Sequence, residues 1–225
     1  MSPKRTDKRP RLRSVQAFDG GFSWRAFPNE RMQRTSHALA TDDGVWLVDP
    51  VDAEGLDDRL SELGSVAGVV VLLDRHTRDA GVIATRHGVS VSVPTWMTGV
   101  EHKVDAPVVD VGETLGESSV EVHKLLDRPF WQEAILVDDP ASILVVPEAV
   151  GTVSFFRVGT ERVGVHPVLR LTPPRKLSTW MPDHLLVGHG ESVHDDATTA
   201  LHDALAGSRR RALQLYAKDL AAFFG

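Results

Sequence analysis

Three stretches of the chain set polar side chains directly after apolar runs. Asp74 to Asp79 (DRHTRD) follow "VVVLL", Glu148 follows "ILVVP", and His189 follows "HLLV". A carboxylate or imidazole at the end of a buried strand can ligate a metal, move a proton or pair with a cation, and α/β folds commonly build sites at the carboxyl ends of neighbouring strands. The sequence has no Cys, which excludes disulfides, thiolate metal sites and cysteine nucleophiles, so any metal must be held by His and carboxylates. A lone His or carboxylate at a strand end is usually a hydrogen-bonded structural residue. The joint occurrence of three such ends is what points to a site.

Other chemistries find less support. There is no GxxxxGK[ST] phosphate loop, no GxGxxG after a strand and no GxSxG nucleophile turn. Ser192 and His194 lie near His189, but neighbours in sequence are not a triad in space. His184, His194 and His202, in an acidic closing segment, read as a hydrated helix surface. Of the five Trp, Trp46 and Trp96 are assigned to packing, while Trp131 and Trp180 are candidate pocket walls.

The elements that must position these groups are legible as patterns. "SVQAF", "FSWRAF" and "SHALATDDGVWLVDP" are β-prone runs separated by Gly-Gly and Asp-Asp-Gly turns, the pattern of antiparallel hairpins. Asp52 offers a cap for a helix from Gly55 to Leu63 whose Leu56, Leu60 and Leu63 share one face. "GVVVLL" is a continuous apolar run, as in a strand buried on both faces. "TRDAGVIATRHG" reads as a helix ending at Gly88, and "VSVSV" as a strand stopped by Pro94, completing a β-α-β unit. "PVVDV", "SSVEVHKL", "QEAILVDD" and "SILVVP" read as further strands, and residues 151–182 as irregular with short strands. "DHLLV" is a last strand, followed by a helix that Gly207 interrupts before a final amphipathic helix carrying Leu213, Tyr216, Leu220 and Phe223.

Length and charge bound the rest. A chain of 225 residues can bury a substantial core without staples. Residues 1–14 hold six Lys or Arg against one Asp, a net of +5, leaving −11 for the remainder of a chain at −6 overall. Such an arm is expected to be solvated and disordered, with residues 15–225 forming a single domain. Apolar runs fall far short of the roughly 20 residues that span a bilayer, and the start lacks a signal-peptide core, so a cytoplasmic protein with no membrane partner is expected.

The order of the pieces resembles the metallo-β-lactamase-fold hydrolases over roughly residues 36–205. In that family an entry hairpin ends in a "vlIDp" strand, as in "VWLVDPVD" here. A helix follows, then a buried strand delivering HxHxDH and a small-residue helix. A later strand delivers a bridging acid, matched by Glu148 in "ILVVPEAVG", and a last strand delivers "GHG", matched by "LLVGHGESV" with His189. The resemblance implies an α/β fold, a four-layer αββα sandwich.

The chemistry departs from the family. Laid on its motif, "LLDRHTRDAGV" puts Asp79 on the Asp but Arg75, Thr77 and Ala80 on the three His positions, with His76 between ligand positions. A further metal His, usually in an "HTPGH" turn, is replaced in "VHKLLDRPFWQEAIL" by Asp127, Arg128 or Pro129, while His123 matches only an earlier, usually non-ligating position. Thr77 and Ala80 are not competent ligands, and the permanent charge of Arg75 repels a metal. The expectation is therefore an eroded centre with no cofactor. In it Arg75, with Arg78 or Arg128, neutralises Asp79 and Glu148, and Arg75, His76 and Asp127 line a cleft. Such a protein would bind a small molecule or a partner protein without catalysis, and nucleic acid is not an expected ligand. The alternative is a divergent hydrolase of an ester or phosphoester, with one divalent ion (zinc, iron or manganese) on Asp79, Glu148 and His189.

Overall fold

The β-prone runs of the first third pair as a meander in the computed structural model, which describes residues 9–224, with side chains described as far as Lys218. Strands β1 (Gln16–Phe18), β2 (Gly21–Trp24), β3 (Ser36–Thr41) and β4 (Gly44–Val48) are antiparallel neighbours. Strands β5 (Val66–Val70), β6 (Val91–Pro94) and β7 (Val108–Val111) then add in parallel, giving a seven-stranded sheet in chain order. Helix α1 (Leu56–Ser61) connects β4 to β5, and α2 (Ala80–His87) connects β5 to β6.

A second sheet is built from β8 (Glu121–Arg128), β9 (Trp131–Asp138) and β10 (Ile143–Val146). Residues 150–182 contribute the two-residue strands β11 (Val150–Gly151) and β12 (Gly164–Val165) and two 3-10 turns, Pro167–Leu169 and Arg175–Thr179. Strand β13 (His184–Val187) then pairs in parallel with β10, so that the second sheet runs β13-β10-β9-β8. Helix α3 (Ala197–Phe224) closes the chain.

Alternation with period two sorts the side chains into three apolar layers. Val45 and Leu47 of β4 and Val69 of β5 face α1 and α2, with Leu56, Leu60 and Ile83. Trp46 and Val48 of β4 and Val70 of β5 face the other sheet, meeting Ala134, Leu136, Ile143, Val145 and Leu186. Ile135, Val137, Leu144, Val146, Leu185 and Val187 point outward from the second sheet onto Leu201, Ala204 and Leu205 of α3. The result is the expected αββα sandwich. Leu47 is fully buried, and its replacement by Ala would cost about 2–5 kcal/mol.

Local expectations were overturned in three places. Asp52 does not cap α1: the N-cap is Gly55 at φ 87°, without a side-chain bond. Asp52 is engaged by Arg9 at 2.8 Å and by Arg86 at 2.8 and 3.0 Å, stronger partners than a helix terminus. Gly207 does not interrupt α3. Its helix penalty of about 1 kcal/mol is outweighed by burial of Ala204, Ala212 and Leu215 on either side, and a Cβ there would collide with the Arg211 guanidinium. Leu213 does not lie on the buried face but is 81% exposed. Tyr216 is at the edge, its hydroxyl donating to Pro167 O, and the side chains of Leu220 and Phe223 lie outside the described residues.

Of the basic arm, residues 1–8 lie outside the described residues. Residues 9–13 lie against the start of α1, with Arg9 donating to Asp52 and to Ala53 O, and Leu12 N–H donating to Glu54 O. Among the described residues no helix is long and apolar enough to cross a membrane.

Candidate functional site

Two parallel strand pairs, one in each sheet, end at the same place. β4 and β5 deliver Asp49 and the 74–79 loop, while β10 and β13 deliver Glu148 and His189. The sheets are stitched together here. Ala134 N–H donates to Leu72 O and Asp74 N–H to Gln132 O, so the chain leaving β5 crosses onto β9. On the other side Thr35 N–H donates to Gly188 O and Gly190 N–H to Gln33 O. β5 ends early because the Leu72 N–H is taken by Asp49 Oδ1 at 2.9 Å.

At this junction His76, Glu148 and His189, all buried, present donor atoms within 4.8 Å of one another. Each imidazole is oriented through its far nitrogen. His76 Nδ1 is 3.0 Å from Asp49 Oδ2, which accepts its proton and turns Nε2 toward Glu148 Oε2 at 3.5 Å. His189 Nδ1 donates to Met32 O at 2.9 Å. A carbonyl can only accept, so His189 Nε2 carries the lone pair, and this atom is buried without a hydrogen-bond partner. Burial, with the nearby His76 and Arg78, lowers the His189 pKa to about 3 and keeps it neutral. An imidazole fixed by a carboxylate or carbonyl on one nitrogen, with the other bare, is the usual support of a metal ligand.

Glu148 is held from several sides. Burial works to raise its pKa, but the neighbouring His76 and the Arg75 guanidinium outweigh that and hold the carboxyl well below the usual carboxylate range. Arg75 lies 3.0 Å from Oε2 as an ion pair, yet Oε2 has no properly directed hydrogen bond. His166 Nε2 lies 3.6 Å from Oε1. Because His166 Nδ1 accepts the Val168 N–H at 3.2 Å, Nε2 bears the proton and is a donor, not a ligand. Burial lowers the His166 pKa to about 4 against the pull of Glu148. Trp131 packs edge-on against His166, with ring centroids 4.8 Å apart, and carries Arg75 on its face at 4.3 Å.

Beneath Glu148 lies Glu133, fully buried. Its Oε1 accepts the Glu148 and Ala149 N–H groups at 2.7 and 2.8 Å, and its Oε2 accepts Trp131 Nε1–H at 2.6 Å. Burial pushes its pKa up to about 7 in spite of these donors. Arg78, at φ 40°, runs under the site and donates to Thr35 O, Asp49 O and Gly188 O at 2.5, 2.8 and 3.1 Å, tying both strand pairs together. Burial lowers its pKa to about 10, so it stays charged at neutral pH.

Of the residues singled out from sequence, Glu148, His189, His76 and Arg75 come together here. Asp79 stands apart from the cluster: it precedes α2, and its Oδ2 accepts the Asp52 N–H at 3.0 Å. Arg75 accordingly reaches Glu148 and Asp74, not Asp79. Asp127 is exposed on the β8–β9 hairpin, its carboxyl lowered by Lys124 at 2.7 Å and by Gln132. Arg128 is likewise exposed. Trp131 is a wall of the site, whereas Trp180 lies elsewhere, against His123 and Lys176.

His184 and His194 are not a hydrated surface pair. Their Nδ1 atoms are 3.0 Å apart beneath Phe18, and His194 Nε2 is buried. Ser192 Oγ meets Ser23 Oγ at 3.2 Å, and Ser23 Oγ meets His37 Nδ1 at 2.7 Å. That serine–histidine contact is buried in the sheet, with Ser23 and His37 each 1% exposed, and offers no approach to a substrate. Asp49, Glu133 and His166 were missed from sequence. Asp49 alone had a visible signal, its place in "VWLVDPVD".

No family model matches the sequence, and no curated protein does. Solved structures do match in shape. A crystal structure of the DIM-1 metallo-β-lactamase aligns over 92% of this chain and 99% of its own with a TM-score of 0.62 at 17% identity. The metal-soaked Flv1 flavodiiron core from Synechocystis sp. PCC6803 aligns over 89% and 62% with a TM-score of 0.63 at 11% identity. TTHA1623 in a di-iron-bound form aligns over 73% and 91% with a TM-score of 0.54 at 15% identity. At such identities the likeness is one of fold.

Proposed function

We propose that this chain, which has the metallo-β-lactamase fold, holds one divalent metal ion on His76, Glu148 and His189 and is a hydrolase of an ester or phosphoester. The observation that carries this reading is His189 Nε2, a buried acceptor with no donor, in one cluster with Glu148 Oε2, which has an ion pair with Arg75 but no directed hydrogen bond. Leaving the imidazole nitrogen unpaired costs about 1–3 kcal/mol, and a cation shared with Glu148 removes the cost. The donor set suits zinc: ligands bound at about 2.0–2.1 Å in a tetrahedron lie about 3.4 Å apart, and His76 Nε2 and Glu148 Oε2 are 3.5 Å apart. The ligand set is thus the single-metal alternative read from sequence, with His76 in the place of Asp79.

A zinc ion with three protein ligands leaves a position for water and lowers the pKa of that water toward 7. The protein's own residues supply the rest. Asp49 and Met32 O take the Nδ1 protons and turn both Nε2 atoms toward the site, Glu133 fixes the backbone that aims Glu148, and Trp131 with Phe156 flanks the site with apolar surface. His166 Nε2–H, beside Glu148 Oε1, is a fixed donor for an oxygen bound nearby. Arg75 and Thr77 take family His positions in the strand-end loop, which limits the site to one metal. DIM-1 is a metallo-β-lactamase and TTHA1623 has a di-iron-bound form; both are compatible with metal chemistry in this cleft.

One observation favours a metal-free binding protein, the Arg75–Glu148 ion pair at 3.0 Å. It neutralises the acid without a metal, as expected of an eroded centre. Elemental analysis of protein purified without a tag separates the two readings. The proposal expects one equivalent of zinc, iron or manganese, lost in Glu148→Gln and His189→Ala. Metal-free protein that takes up none on reconstitution would establish the second reading.

A further inference from the structure

Arg75 and the proposed metal need the same atom. The guanidinium lies 3.0 Å from Glu148 Oε2, one of the three ligand atoms, and 3.1 Å from Asp74 Oδ1, with the Trp131 face beneath it at 4.3 Å. Its side chain is 36% exposed while that of Glu148 is 10% exposed, so the arginine stands at the cleft's mouth and the acid at its base. The two cations cannot both hold Oε2 at full strength. A guanidinium keeps its charge at any working pH, so it can leave Glu148 only by moving to another anion. Asp74 can be a pivot, because it is already bound through the other terminal nitrogen, and Trp131 keeps the group at the rim. A second cation stands on the same side. Arg31 stacks over Phe155 at 4.8 Å, Phe155 lies 6.0 Å from His166, and Arg31 has no acidic partner among the described residues.

We propose that Arg75 is an anion-operated latch on Glu148: an oxyanion group of the substrate, phosphoryl or carboxylate, takes the guanidinium and frees Glu148 Oε2 for the metal, so that metal and anion bind cooperatively. The inference rests on the single-metal reading and adds to it a substrate class, an anionic one. It also accounts for an arginine where the family's motif has a histidine: the residue keeps the empty site neutral and makes metal retention depend on the ligand. Coupling between two such sites is commonly about 5-fold to 150-fold in affinity.

The test measures zinc affinity against a chromophoric chelator for the wild type and Arg75→Ala, each with and without millimolar orthophosphate. Arg75→Gln, which keeps the stem over Trp131, replaces the alanine variant if its thermal melting shows loss of fold. The latch predicts that phosphate strengthens zinc binding by the wild type about tenfold. It predicts that the variant binds zinc about tenfold more tightly than the wild type without phosphate, and gains nothing when phosphate is added. Zinc binding by both proteins with equal affinity, or an equal phosphate response in both, overturns the latch and leaves the metal reading standing. Failure of both folded proteins to bind zinc, ferrous iron or manganese overturns the two together.

Discussion

Asp49 Oδ2 and His76 Nδ1 are joined at 3.0 Å across the ends of two parallel strands, and the other oxygen of the same carboxylate accepts the Leu72 N–H at 2.9 Å. One residue thus ends β5 and sets the tautomer of a proposed ligand. Asp49→Asn keeps the size, and its amide can be oriented to serve one of these two partners but not both. Zinc affinity should fall about 10-fold to 100-fold, the usual effect of removing such a support, and the chelator titration reads it directly. Unchanged affinity would mean that His76 is not a ligand.

Glu133 makes a sharper distinction between charge and shape. Its three donors are the Glu148 and Ala149 N–H groups and Trp131 Nε1–H, all in a fully buried pocket. In Glu133→Gln the amide oxygen can still accept the two backbone protons, but its NH2 must then face Trp131 Nε1–H, donor against donor. The cost expected is about 1–3 kcal/mol, measured by urea unfolding. Glu133→Ala should cost more, since it orphans all three donors.

Gly188 is where two backbones nearly touch. A Cβ there would lie 2.1 Å from Pro147 O, an approach only glycine allows. That closeness places His189 beside Glu148 at the ends of β13 and β10. Gly188→Ala should therefore separate the two donor atoms and abolish stoichiometric metal. It should also lower stability by more than the few tenths of a kcal/mol typical of surface changes. Metal content and the unfolding midpoint together check it.

The strands were legible because "VWLV", "AILV" and "ILVV" are unbroken apolar runs of strand length, as in strands buried on both faces, and their alternate residues face helices or the opposing sheet. Strand ends were legible too, so Glu148 and His189 could be named from position alone. What could not be read was the loop after β5. There the family motif favoured Asp79, but the turn puts His76 inward, where its N–H donates to Leu73 O, and leaves Asp79 at the start of α2 beside Asp52. One residue of loop register decides which side chain faces the cleft, and no periodicity exists in a six-residue turn to fix it. Glu133 and His166 were hidden for a different reason: each is a polar residue inside an apolar or irregular stretch, and its role depends on partners 15 to 18 positions away. The continuity of α3 through Gly207 was likewise a tertiary matter, since the helix packs on β12, β13 and the two 3-10 turns.

The pH dependence of folding tests the buried histidines without reference to metal. His37 is fully buried between Ser23 and the sheet interior, and burial, with the Arg78 and His194 charges opposing its own, lowers its pKa from 6.5 to about 3. The unfolded chain binds a proton at this residue below about pH 6.5, and the native state does not until about pH 3. Native protein therefore binds fewer protons in that window, so stability is fully present above about 6.5 and is lost as pH falls. One such group accounts for about 2 kcal/mol between pH 7.5 and pH 5. His166 and His189 act in the same direction. Urea unfolding of chelator-treated protein at pH 5, 6 and 7.5 should show a steep acid loss. His37→Asn, which retains an acceptor for Ser23, should flatten it by one proton's share. A variant with the wild-type pH dependence would show that His37 is already protonated, or exposed, in the native state.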